Sequence, residues 1–263
     1  MKAPLYYQSY GKGKPIVLIH GWTMDSRVWN PFVEEFLNQY NVITLDLRGH
    51  GNSSSLPGPY DFKAFAEDIL GLIEHLSLEH ITLIGWSMGV SVILAMLEKQ
   101  IPEVDSLVFI SGTPSLTARE DYPCGLPRGE VHRLLRQVKK DYQTGMKNFY
   151  NLVFQGKDLS SGHIDGVKAL VCDISRIPAQ TVALESLHCL QDEDFRPSLS
   201  TIRVPTLLIH GALDRICMPA AAQYMAEHIT GASLLMIEET GHAPFLTQTE
   251  EVHRAIARFI QDL

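Results

Sequence analysis

Cysteine is scarce in this sequence, and its four copies stand far apart. Cys124, Cys172, Cys189 and Cys217 form no C-x-x-C pair and no zinc-like cluster. That argues against a disulfide framework and a structural zinc site; isolated reduced thiols of a cytosolic protein are expected. Long hydrophobic runs are missing too. No apolar stretch approaches the ~20 residues that span a bilayer. The opening MKAPLYYQSYGKGK lacks the continuous apolar core of a signal peptide. Neither a membrane partner nor a secretory leader is expected, and the expected location is cytoplasmic. Positive charge is in short supply: 22 Lys and Arg face 30 Asp and Glu, a formal net charge of −8. That balance argues against general nucleic-acid binding. There is no repeat and no low-complexity tract.

What is present suits one large α/β domain or two small ones: 263 residues, 45% of them apolar. Short runs rich in β-branched residues, each followed by turn residues, read as buried strands at 15–20, 41–47, 81–86, 106–111, 206–211 and 233–239. Helical patterns fall between them at 61–76, 88–99, 219–229 and 249–262. Strands alternating with helices predict a mostly parallel sheet covered on both faces. The alternation fails between about Pro114 and Pro197, where helices are expected near 127–142, 144–155, 163–174 and 178–190. The expected organisation is therefore a core of 1–113 and 198–263, with 114–197 inserted as a helical cap.

Parallel sheets collect their active sites at the carboxyl ends of the strands. Four such ends carry unusual residues: His20-Gly21-Trp22, Gly85-Trp86-Ser87-Met88-Gly89, Gly211-Ala212-Leu213-Asp214 and Gly241-His242-Ala243-Pro244-Phe245. The second fits a serine held on a sharp strand-to-helix turn. Side chains two residues to either side would collide, so glycine suits both places. A short G-x-S-x-G pattern alone is also compatible with a buried structural serine. A serine hydroxyl is a weak nucleophile that needs a base, and the base needs a third group to orient it. Ser87, Asp214 and His242 supply these in order, and four concordant loops favour the nucleophile. Attack on a carbonyl creates an oxyanion needing two N–H donors. The amides of Met88 and Trp22 are the candidates. The Trp22 side chain either lines an acyl pocket or simply packs. His20 and His210 also lie near strand ends, and Asp46 in DLRGHGNS is expected to hold that loop in shape.

These motifs, in this order along the whole chain, resemble the α/β-hydrolase superfamily. The resemblance implies an α/β-hydrolase fold, a Ser-Asp-His triad, and chemistry that needs neither cofactor nor metal. ITLIGWSMG, HGW, HAPF and the helical insertion are similar to the pimeloyl-acyl-carrier-protein methyl ester esterases of biotin synthesis. That closer resemblance implies a carboxylesterase acting on an ester-capped acyl chain borne by acyl carrier protein. One departure is Val90, where many relatives have glycine or alanine after the second glycine. The cap residues Arg128, Arg133, Arg136, Lys139, Lys140 and Lys147 outnumber Glu130 and Asp141. Such a window either steers an acidic carrier or is a solvated helix face. By position in the family, Lys147 is the candidate carrier contact and Phe149 a candidate tunnel residue. A C–C bond hydrolase, a lactone hydrolase or a haloperoxidase-like enzyme would use the same triad. A signalling or binding protein on this fold is the alternative of another class. A haloalkane dehalogenase is disfavoured, because it needs aspartate where Ser87 stands. A monomer is expected.

Overall fold

Runs of Val, Ile and Leu can bury both faces only in the middle of a sheet, and here they do. The computed structural model describes residues 5–263 apart from Gln100, Ser161 and His163. In chain order its elements are β1 (Tyr7–Tyr10), β2 (Pro15–Ile19), α1 (Asn30–Phe36), β3 (Asn41–Leu45), α2 (Phe62–Leu76), β4 (Ile81–Trp86), α3 (Met88–Leu97) and β5 (Val104–Ile110). There follow α4 (Arg128–Lys140), α5 (Tyr142–Tyr150), α6 (Ile164–Val171), α7 (Gln180–Asp192) and α8 (Arg196–Leu199). The chain ends with β6 (Thr206–Gly211), α9 (Pro219–His228), β7 (Ser233–Ile237), α10 (Pro244–Thr247) and α11 (Thr249–Gln261). Short 3-10 turns occupy several loops. No helix among the described residues is long and apolar enough to cross a membrane.

The seven strands run in the order β1-β3-β2-β4-β5-β6-β7. All neighbours are parallel except β1, which pairs antiparallel with β3, Tyr7 facing Leu45 and Tyr10 facing Val42. The fold is an α/β-hydrolase fold with a mostly parallel sheet, as the alternating pattern predicts. β1 is the addition. Its four residues are half-buried to exposed and largely polar, so no apolar run announces it. The strand order reverses between β2 and β4, which places their carboxyl ends side by side at the crevice where such sheets bind ligands.

Helix α2 begins at Asp61, whose carboxylate accepts from the Ala64 amide at 2.8 Å, and buries Phe65, Ile69 and Leu72. Helix α3 is apolar on nearly every side, and it is buried accordingly, packed on β4 and α2. Between β5 and β6 the chain leaves the sheet and forms α4 to α8. The helix expected at 144–155 stops at Tyr150, because the following residues turn to meet the loop after β7. The helix expected at 163–174 runs Ile164–Val171, and its expected first residue, His163, lies outside the described residues, as do Met1–Pro4 of the expected core.

Candidate active site

Strand β4 ends at Trp86 and α3 begins at Met88, which leaves Ser87 to make the whole turn. It does so at φ 55°, ψ −117°, a strained conformation for a residue with a Cβ, costing on the order of 1–3 kcal/mol. The close approach explains the glycines. A Cβ at Gly89 would lie 2.3 Å from the Ile19 carbonyl oxygen, and one at Gly85 would lie 2.7 Å from the Gly89 backbone. The strained residue is pinned by its own backbone: the Ser87 amide donates to Ile110 O at 2.9 Å, and Ser87 O accepts from Val90 at 2.9 Å. Val90 is fully buried and fits because Gly112 faces it; a Cβ there would meet the valine methyls at 2.5–2.7 Å. The Met88 amide, first of the helix, has no carbonyl to bond. It points the positive end of α3 toward the space beside Ser87.

Asp214 follows β6 and His242 follows β7, adjacent parallel strands. Oδ2 of Asp214 accepts from Nδ1 of His242 at 2.7 Å. Oδ1 accepts the amides of Ile216 at 2.8 Å and Cys217 at 3.1 Å. His210, expected only to lie near a strand end, proves to be a partner. Its Nε2–H donates to Cys217 O at 2.8 Å and lies 3.2 Å from Asp214 Oδ2. Burial alone would raise the Asp214 pKa, but the two histidines outweigh it and hold the carboxyl well below the usual range. Since the carboxylate accepts from Nδ1–H, Nε2 of His242 keeps its lone pair, the tautomer a general base needs. Trp86 Nε1 donates to His242 O at 2.8 Å and so ties the histidine loop to the end of β4 beside Ser87.

The HGW loop lies against the serine: a Cβ on Gly21 would sit 3.3 Å from Ser87 Cβ. His20 is not available as a base. Its Nδ1–H donates to Gly21 O at 2.8 Å and its Nε2 accepts from Leu47 at 3.1 Å. Asp46 holds its loop, accepting from the amides of Ser26 and Asn52, each at 2.7 Å. Among the described residues neither the Trp22 nor the Met88 amide donates a hydrogen bond.

A family model described as alpha/beta hydrolase family matches residues 16–255. The chain belongs to the alpha/beta hydrolase family. This hydrolase is 31% identical, over 99% of its length and 97% of the relative's, to a protein named pimeloyl-[acyl-carrier protein] methyl ester esterase in Aliivibrio salmonicida. It is 32% identical to a putative non-heme chloroperoxidase of a Synechocystis species, covering 98% of this chain and 95% of the relative. Among solved structures it matches an esterase from Exiguobacterium antarcticum with a TM-score of 0.91 at 30% identity, covering 98% and 95% of the two chains.

A cavity of about 400 Å³ opens on Ser87 and Met88 in this hydrolase. Its inner wall is apolar, with Leu116, Val131, Phe149, Leu187 and Ile216. Trp22 both lines it and packs: its ring meets Phe149 edge-on at 4.8 Å, and its Nε1 donates to Ala183 O and Ser186 Oγ at 3.1 Å each. Lys147 is exposed on α5, next to the cavity-lining Asn148 and Phe149, and does not itself line the cavity. Among the described residues no three His, Cys, Asp or Glu side chains converge as metal ligands do.

One buried carboxylate of the hydrolase escapes sequence reasoning. Asp158, in the insertion, is fully buried. It accepts from the Gly241 amide at 2.7 Å, the Gln155 amide at 3.0 Å and the Thr247 hydroxyl at 2.6 Å. The His242 amide donates to Val153 O at 2.8 Å, and a Cβ at Gly241 would lie 2.6 Å from that same carbonyl. Residues 153–158 therefore brace the loop that carries His242. The only sequence signal is an aspartate in KDLS, a common polar turn.

Proposed function

We propose that this hydrolase is a serine carboxylesterase whose substrate is a methyl ester at the end of an acyl chain on acyl carrier protein. Ser87, activated by His242, attacks the ester carbonyl, and the amides of Met88 and Trp22 hold the oxyanion. His242 then protonates the departing methanol, and a water deprotonated by the same imidazole releases the acid. Asp214 stays ionised and orients His242 throughout. Residues 114–197 act as the cap that shapes the acyl pocket. The observation that carries the reading is the buried Asp214–His242 hydrogen bond, 2.7 Å, joined through Trp86 to the strained Ser87 turn over one apolar cavity. The names borne by the Aliivibrio relative and the Exiguobacterium structure support esterase chemistry.

Steady-state release of methanol from methyl-pimeloyl-acyl carrier protein tests it, with Ser87→Ala as the control. That variant should lose turnover by about 10⁴ or more. Near-native turnover by Ser87→Ala overturns the nucleophile. Failure of the well-expressed protein to rescue a host lacking this esterase, on medium without biotin, overturns the carrier substrate. A single slow labelling event without turnover would point to a binding role instead. The Synechocystis relative's name favours a second reading, halide oxidation, which a halogenation assay with peroxide and halide decides.

A further inference from the structure

The cavity that opens on Ser87 is lined by apolar side chains, and its charged lining residues are Arg215, Arg133 and Glu130, a net single positive charge. Arg215 reaches the rim from the loop after β6, and Arg133 reaches it from α4. Arg215 is the residue after Asp214, yet the two do not pair. Asp214 is buried and both its oxygens are engaged by Ile216, Cys217, His210 and His242. Among the described residues no carboxylate lies within ion-pair distance of Arg215, whereas Arg48 holds one and Arg27 and Arg196 hold two each. The undescribed residues Met1–Pro4, Gln100, Ser161 and His163 include no Asp or Glu. Arg133 does have a partner, Glu130, one turn away on the same helix. Both are more than half exposed, at 57% and 52%. A pair so exposed is worth only ~0.2–1 kcal/mol and exchanges readily for another anion.

We propose that Arg215, with Arg133 of α4 on the same cavity, forms an anion subsite at the cavity mouth, so that preferred substrates carry a carboxylate or phosphate remote from the scissile ester. The inner wall takes the acyl chain and the rim takes its charged far end. A chain with no charge would need no cation there. Guanidinium suits the role because its fork matches carboxylate and phosphate oxygens bidentately. The apolar walls beside the rim strengthen the attraction over that in open water. The subsite rests on Ser87 as the nucleophile but not on acyl carrier protein as the partner. The same chemistry would read the free carboxylate of a dicarboxylic half-ester or the phosphate of a carrier's prosthetic arm.

The test is a ratio. kcat/KM is measured for the monomethyl ester of a dicarboxylic acid and for the methyl ester of a monocarboxylic acid of equal length. A methyl ester linked to phosphopantetheine is the third substrate. The wild type should favour the charged esters, less so as salt rises. Arg215→Gln should lower that preference about fivefold and Arg215→Glu further, with the salt dependence lost. Fluorophosphonate labelling of Ser87 in each variant verifies that the site is folded. A fall for the half-ester assigns a carboxylate, and a fall for the phosphopantetheine ester alone assigns a phosphate. A ratio unmoved in both labelled variants overturns the subsite. Loss of carrier-protein turnover with the half-ester preference intact retires the carrier reading and leaves the subsite standing.

Discussion

The loops at the carboxyl end of the sheet and the helical insertion above them are built on opposite plans. In the loops the buried side chains of Asp214, His20 and Asp46 are held by fixed partners. Asp214 has four donors around it, His20 spends both ring nitrogens on backbone, and Asp46 clamps two amides. In the insertion, the polar side chains that face the cavity from α4 and α5, such as Arg133, Gln137 and Asn148, stand exposed. Among the ties that join the regions are Trp22 to α7, Arg176 to Asp25 at 3.1 Å, and Asp158 to Gly241. The contrast teaches a division of labour. If the proposed function holds, most of the geometry for chemistry is fixed by the core, and the choice of substrate falls to the exposed side chains of the insertion.

The sharpest way to break that division is inside the core. Asp214→Asn replaces an acceptor with a group that can also donate, so His242 loses the tautomer that keeps Nε2 basic. Ester turnover should fall roughly 10⁴-fold with the fold intact, by circular dichroism and kcat. A loss under tenfold would mean that another group orients His242. Asp158→Ala attacks the division itself, because this carboxylate belongs to the insertion yet braces the histidine loop. Three donors lose their acceptor: the buried Gly241 amide, the part-buried Gln155 amide and the Thr247 hydroxyl. kcat should drop about 10–100-fold with KM little changed, and Asp158→Asn should recover much of it. Equal loss in kcat and KM would place Asp158 on the substrate side instead.

Legibility follows the same boundary. Strands β2 to β7 could be read because each is a continuous apolar run, a pattern that local sequence carries by itself. The candidate triad and oxyanion loop could be read because steric demands fix small motifs: glycine around Ser87, a histidine after a strand and a glycine. β1 could not, since YQSY has no buried face to mark it and gains its place only by pairing with β3. Asp158 could not, since its meaning lies in Gly241, 83 residues away. His210 was noticed only for its position, because its bond to Cys217 O depends on how the loop folds back. Lys147 was placed by family position alone, and its exposure on α5 is compatible with the surface contact expected of it.

The core's locked histidines give it a pH dependence. His50 is fully buried, and its Nε2 has no partner among the described residues. Burial, with a smaller push from His20, lowers its pKa to about 3. The unfolded chain keeps an ordinary value near 6.5 and so takes up the proton first. Stability is therefore complete above about pH 6.5 and falls steadily as pH drops toward 3. At pH 5 the loss from this one residue should be roughly 2 kcal/mol. Urea midpoints between pH 7 and 4.5 measure it, and His50→Asn should flatten the slope. An unchanged slope would show that the ring is solvated, and that the core is less sealed than its contacts imply.

Trp22 is the smallest test and the most discriminating, because both regions meet in it. The glycine before it packs on Ser87, while its indole nitrogen bonds to α7. Trp22→Phe keeps the amide and an aromatic edge for Phe149 but removes the indole N–H. Ser186 Oγ retains its bond to Val182 O at 2.6 Å, so little is left unpaired. The cost should be about 1 kcal/mol, a fall of roughly 2–4 °C in Tm. If the core alone holds the amide, kcat should stay within about threefold of wild type, because the Trp22 amide follows a glycine packed on Ser87. A kcat loss near that of Asp158→Ala would mean that α7 steers the oxyanion donor through the indole. The insertion would then reach the chemistry by two routes rather than one.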